Sequence, residues 1–227
     1  LVDRANHDFI ELLTRRILAD STAISTRNSL LLRVLFALVV VSMSERITYA
    51  HGDGEIRGGL GAGFSHPLLG LDHVVAMIAV GLWGAQLGAP AIWVLPIAFP
   101  MMMAFGGAIS LLGFPLPAVE IGIACSAIVL GALVLFEAKP PIYVTVAIVG
   151  VFALFHGHAH GTEIPDGASG LAYSLGFVLG TGLLHGAGIG IGYIGEWPGG
   201  KSVLKGAGAM VLACGIYFLL RSVGLVA

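Results

Sequence analysis

A chain of 227 residues with 57% hydrophobic residues, 11% charged residues and a mean hydropathy of +0.95 is an integral membrane protein and not a soluble domain. Its formal charge of -2 comes without a dense basic tract or an interleaved aromatic platform, which removes nucleic acid as a partner. Cys125 and Cys214 lie inside apolar stretches, so neither a disulfide framework nor a zinc ribbon is available and both read as core packing.

Residues 1–28 carry no informative pattern. Residues 29–50 have the build of a bacterial secretory signal: six of the eleven Lys and Arg fall in the first fifty residues, an apolar run covers Val34 to Val41, and Thr48-Tyr49-Ala50 offers a cleavage point. The mature chain would then begin at His51; with the signal retained, Leu30 to Met43 would form a weak seventh helix. Residues 51–65 read as a periplasmic N-terminal segment and 66–227 as an all-α bundle of six transmembrane helices.

The spans, each of about 20 residues as a bilayer core of roughly 30 Å demands, are expected near His66 to Leu87, Ala91 to Leu112, Ala118 to Phe136, Ile142 to His160, Ala168 to Gly190 and Val203 to Val223. Turn chemistry separates them at Gly88-Ala89-Pro90, Gly113 to Pro117, Lys139-Pro140-Pro141, Ile164 to Gly167 and Trp197 to Gly200. Lys139, Lys201 and Lys205 flank loops on one side, and the loop with Glu163 and Asp166 is acidic, so the Lys-bearing side faces the cytoplasm of a bacterial inner membrane. Arg57 and Arg221 fall on the other side.

Ionisable residues interrupt this apolar pattern at His66-Pro67-Leu68-Leu69-Gly70-Leu71-Asp72-His73 and at Phe155-His156-Gly157-His158-Ala159-His160-Gly161-Thr162-Glu163. Imidazole and carboxylate at membrane depth cost several kcal/mol unless they face a cavity or a partner, so both segments are functional candidates. In the expected topology these residues and Glu120 share the outer end, where His51, Asp53 and Glu55 add ligands, a terminal His offering amine and imidazole together. His66 and His73 are spaced to share one helical stripe, as are His156, His160 and Glu163; Asp72 points one step away, as an orienting group or as a ligand reached through unwinding at Pro67 and Gly70. His158 points away from its neighbours' stripe. Imidazole with carboxylate and no thiolate suits nickel, cobalt, zinc, copper(II) or iron, and disfavours calcium and magnesium.

His-Pro-x-x-Gly-x-Asp-His at His66 to His73 resembles the signature of the HupE/UreJ family of nickel and cobalt permeases, and Phe-His-Gly-x-Ala-His-Gly-x-Glu at Phe155 to Glu163 is similar to that family's second histidine motif. The resemblance covers His51 to Ala227 and implies a secondary permease with a cleavable signal and six spans. It implies no tightly bound cofactor, with Ni²⁺ or Co²⁺ as the transported ion. It assigns metal handling to His66, Asp72, His73, Glu120, His156, His160, Glu163 and His185, and leaves His158 variable. His185 falls deep in span five among Gly176, Gly180, Gly182, Gly186, Gly188, Gly190 and Gly192, whose spacing reads more simply as close helix packing.

Structural readings stay open for several positions. Glu120 and His158 serve equally well as hydrogen-bonded structural groups, Pro96 and Pro100 as a kink, and Met101 to Met103 as lipid or core contacts. An intramembrane metalloenzyme, and a metal sensor or assembly factor for a hydrogenase or urease, remain as other function classes; against the enzyme, no His-Glu-x-x-His and no nucleophile elbow occurs. No ATP-binding loop is present, the lipid bilayer and the metal ion are the partners expected, and a homo-oligomer is open. The odd number of spans per half would allow an inverted repeat.

Overall fold

The computed structural model describes residues 59–161 and 169–226. His51, Glu163 and the expected signal segment lie outside the described residues. Within them the chain is all helical, with no strand: α1 (Leu60–Leu69), α2 (Leu71–Leu87), α3 (Ala91–Leu111), α4 (Val119–Leu135), α5 (Ile142–Gly161), α6 (Gly170–Gly192), a 3-10 turn at Tyr193–Glu196, and α7 (Gly200–Ser222). Helix ends fall where the turn residues placed them. Gly113 and Gly224, at φ 79° and 74°, take the left-handed position that closes α3 and α7, followed in each case by a backbone bond reaching back across the last turn, Phe114 N–H to Ile109 O and Leu225 N–H to Leu220 O. Glu137 occupies the same position after α4 at φ 51°, where its carboxylate meets Lys205 of α7 at 3.1 Å; that hydrogen bond and charge hold the Glu137 carboxyl below its usual range.

Among the described residues four helices, namely α3, α5, α6 with its 3-10 extension, and α7, are long and apolar enough to cross a bilayer, and α1 with α2 makes a fifth if the pair is one span. The chain is thus a multi-pass helical membrane protein. With 17 residues α4 is shorter, about 25 Å at 1.5 Å per residue. Of the six comparable spans expected, the described residues give four, or five if α1 and α2 form one, with α4 shorter than these.

The first span differs from the sequence reading in a way that matters. Instead of one helix from His66 to Leu87, the chain enters at Leu60, breaks at Gly70 and turns by 84° into α2. Gly70 sits in an extended conformation at φ -85° and ψ 109°, and Pro67 inside α1 cannot donate a backbone hydrogen bond, so the helix is weak where it bends.

Packing rests on glycines. Where α2 crosses α6, Gly81 faces the backbone of His185 and Gly188; where α3 crosses α5, Gly106 faces Leu154 and Gly157 faces Met103; where α4 crosses α7, Gly131 faces Leu212 and Gly208 faces Leu135. A methyl group at any of these positions would run into backbone, so only glycine allows the helices this close. On α6 the glycines divide: Gly176, Gly180, Gly188 and Gly192 meet α1 or α2, whereas Gly182, Gly186 and Gly190 face open space. Around this core, Trp93, Ile97, Met101 and Phe105 form a ribbon along α3 whose members are each more than half exposed, at 57–69%, the face expected to meet lipid. Met103 is buried, so the methionine run divides between lipid and core.

Candidate metal-handling site

The break at Gly70 creates the site. α1 carries His66 and α2 opens with Asp72 and His73, so the two histidines approach from helices at a steep angle and do not share the stripe that their spacing in one helix would give. They meet instead over α5. His66 Nε2 lies 2.9 Å from His160 Nδ1, a hydrogen bond in which one ring donates and the other accepts, with ring centroids 4.7 Å apart. The ring of His73 packs against both His160, at 4.3 Å, and His156, at 4.6 Å. His156 and His160 share one face of α5, as their i, i+4 spacing predicts, while His158 turns away to the carbonyl of Phe114. The result is a contiguous array of four imidazoles, from half-buried His66 to the fully buried His156.

Asp72 Oδ1 accepts from both the backbone N–H of His73, at 2.9 Å, and its ring Nδ1, at 2.8 Å. The carboxylate therefore fixes the proton of His73 on Nδ1 and leaves Nε2 with its lone pair, in a buried position with no hydrogen-bond partner among the described residues. Glu120 behaves differently: it is exposed in the first turn of α4, and none of the imidazole contacts involves it.

His185 lies deeper on α6. It is fully buried, with neither ring nitrogen hydrogen-bonded among the described residues, and its ring meets Phe99 edge to face at 5.3 Å. The same Phe99 ring lies 5.7 Å from His156. One fully buried phenyl from α3 thus stands between the array and the deep histidine.

Among the described residues no three His, Cys, Asp or Glu side chains are already posed around one metal position. The pairwise geometry is nevertheless favourable, since two nitrogens bound side by side to one ion at roughly 2.0–2.1 Å are themselves about 3 Å apart. The 2.9 Å separation of His66 Nε2 and His160 Nδ1 falls at that distance.

Residues 37–218 match the family described as HupE / UreJ protein. Protein HupE of Rhizobium leguminosarum bv. viciae is 41% identical over 185 residues, spanning 82% of this chain and 94% of that protein. The chain belongs to the HupE/UreJ family. No solved structure matches it.

Several side chains of this HupE/UreJ site escape a motif-based reading. Phe99 sits between Pro96 and Pro100, where the sequence signals only a bend. Ser126, fully buried in apolar α4, lies 2.9 Å from His156 Nε2; a lone hydroxyl in the middle of a hydrophobic helix was the available signal. On α6, Tyr173 and Phe177 face His66, and Phe177 also packs on His160 at 4.4 Å. Thr181 follows one turn below Phe177 and one above His185, fully buried with no partner for its hydroxyl. A cleft of about 180 Å³ between α3, α5 and α6, lined by Met103, Gly157, His160, Tyr173 and Phe177 among others, opens beside His160.

Proposed function

We propose that this HupE/UreJ chain is a secondary permease, not an enzyme, that takes up Ni²⁺ or Co²⁺ across the bacterial inner membrane, with the histidine end of the bundle facing the periplasm. The observation that carries the proposal is the contiguous imidazole array leading from half-buried His66 to buried His156, followed across Phe99 by His185. A structural role asks buried histidines to be hydrogen-bonded on both sides. Among the described residues His73 Nε2, His156 Nδ1 and both nitrogens of His185 have no such partner, which suits one lone pair per ring kept for a passing cation.

In this reading the ion is collected by His51, with Glu120 and Glu163 at the mouth, and bound by the His66–His160 pair. It then moves to His73 and His156 beside the carboxylate of Asp72, and leaves past His185. Each imidazole replaces a water of the hydrated ion, so dehydration proceeds in steps instead of one large barrier. Asp72 supplies negative charge at the depth where the ion has lost most solvent. The α1–α2 pair and α4 complete six crossings, the signal segment is removed ahead of His51, and the ion is cargo, so no resident cofactor is involved.

Uptake of radioactive nickel and cobalt at limiting external metal, in cells carrying the wild-type chain or His73→Ala at equal membrane expression, tests the proposal. Accumulation that depends on His73 is expected, and the ratio of the two metals gives the preference. Stoichiometric binding without accumulation would move the protein to a sensor or assembly role.

A further inference from the structure

Resting on the permease reading, we infer that Ser126 is a positioning residue that locks His156 in the Nε2–H tautomer, so that His156 Nδ1 and His73 Nε2 present the two lone pairs of the buried binding position. A hydroxyl has one proton to give. Ser126 Oγ donates it to the carbonyl of Ile123 at 2.6 Å, one turn back in α4. Its oxygen is therefore an acceptor toward His156 Nε2, 2.9 Å away, and that nitrogen must carry the ring proton. The opposite tautomer would set two lone pairs against each other at Ser126 and would leave a buried N–H on Nδ1, which has no hydrogen-bond partner among the described residues.

The same logic operates at His73 with the nitrogens exchanged. Asp72 takes the Nδ1 proton, and Nε2 is the buried nitrogen with no partner. Two rings in edge contact at 4.6 Å are thus each held from behind, one by a carboxylate and one by a hydroxyl. The difference has a consequence for charge: a neutral hydroxyl fixes the tautomer of His156 without adding a second negative charge, so the ion is held by one carboxylate and can move on toward His185. Ser126 makes no contact with the ion in this scheme and acts only through the imidazole.

The test uses purified full-length protein with ¹⁵N-labelled histidine rings, His156 being assigned by its loss in His156→Gln. The metal-free wild type should show His156 protonated on Nε2. Ser126→Ala should shift the proton to Nδ1 or mix the two forms, weaken Ni²⁺ binding by about 10–100-fold, and leave the His73 signals in place; Ser126→Thr, which keeps the hydroxyl, should restore the tautomer. A wild-type His156 protonated on Nδ1 would overturn the inference, as would a Ser126→Ala protein with unchanged tautomer and affinity. Flux is read separately in liposomes. A wild type that binds but does not transport refutes the permease reading alone, whereas a transporting protein indifferent to Ser126→Ala refutes this inference alone.

Discussion

At the scale of single residues the four imidazoles are not equivalent, because their partners differ. His66 and His160 share one proton, and protonating both would remove the acceptor from their bond and place two positive rings 4.7 Å apart. Metal uptake should therefore fall as the medium is made acid, because a protonated ring has no lone pair for a cation; initial rates measured across a pH series check this. Asp72→Asn keeps the shape of the side chain but removes the charge that orients His73, and should lower metal affinity by about 10–100-fold, measurable by equilibrium dialysis. Phe99 separates His156 from His185, so Phe99→Ala should open a leak, seen as faster loss of preloaded metal and weaker discrimination between cations. Truncation of a buried phenyl costs about 3–5 kcal/mol, so the milder Phe99→Leu should be measured beside it. The sequence disclosed the histidines and Asp72 because charged and imidazole groups stand out against an apolar background. It concealed Phe99, Ser126 and Thr181 because a phenyl or a hydroxyl in a hydrophobic helix is ordinary until its neighbours across the bundle are known.

At the scale of helices the boundaries were legible and the contacts were not. Gly-Pro clusters stop helices through backbone chemistry that is local to the chain, which is why α3 to α7 begin and end within a few positions of where those clusters place them. The break at Gly70 is harder to read, since neither glycine nor proline is rare in membrane helices, and only the packing of α1 against α6, with Gly63 on Tyr173 and Gly176 on Leu60, makes the bend the better solution. The glycine contacts lead to a contrast between neighbouring positions on α6. Gly188→Ala would push its Cβ into the backbone of Ile78 and should destabilise the bundle by about 1–3 kcal/mol, whereas the Cβ of Gly190→Ala meets nothing within 4 Å among the described residues and should be tolerated. Thermal unfolding in detergent, followed by size-exclusion recovery, would separate the two.

At the scale of the whole molecule the three most extensive helix pairings survive exchange of the two halves of the chain, whereas the contacts of α2 with α3 and with α4 have no counterpart of similar extent among the described residues. Counting α1 with α2 as the first span, the first packs on the fifth, the second on the fourth and the third on the sixth. Mapping the first three spans onto the last three turns these pairs into one another, and also turns the contact of α4 with α5 into that of α7 with α2. In the six-span topology proposed above, three spans per half would reverse their direction, as in an inverted repeat. The described parts of both histidine motifs lie at one end of the bundle, opposite Glu137, Lys139, Lys201 and Lys205, so the chemistry does not follow the exchange that the main pairings allow. If the histidine end faces outward, a membrane-impermeant thiol reagent should label Ser169→Cys in intact spheroplasts and should not label Glu137→Cys until the membrane is opened, in a background lacking Cys125 and Cys214. In the proposed function metal passes through the imidazole array. Purified protein in liposomes carrying a trapped nickel-sensitive dye, with wild type and His156→Ala compared at equal protein content, tests that passage. Rapid quenching for the wild type and none above protein-free liposomes for His156→Ala is the predicted result; equal quenching by both, or nickel bound by the wild type with no quenching, would contradict it.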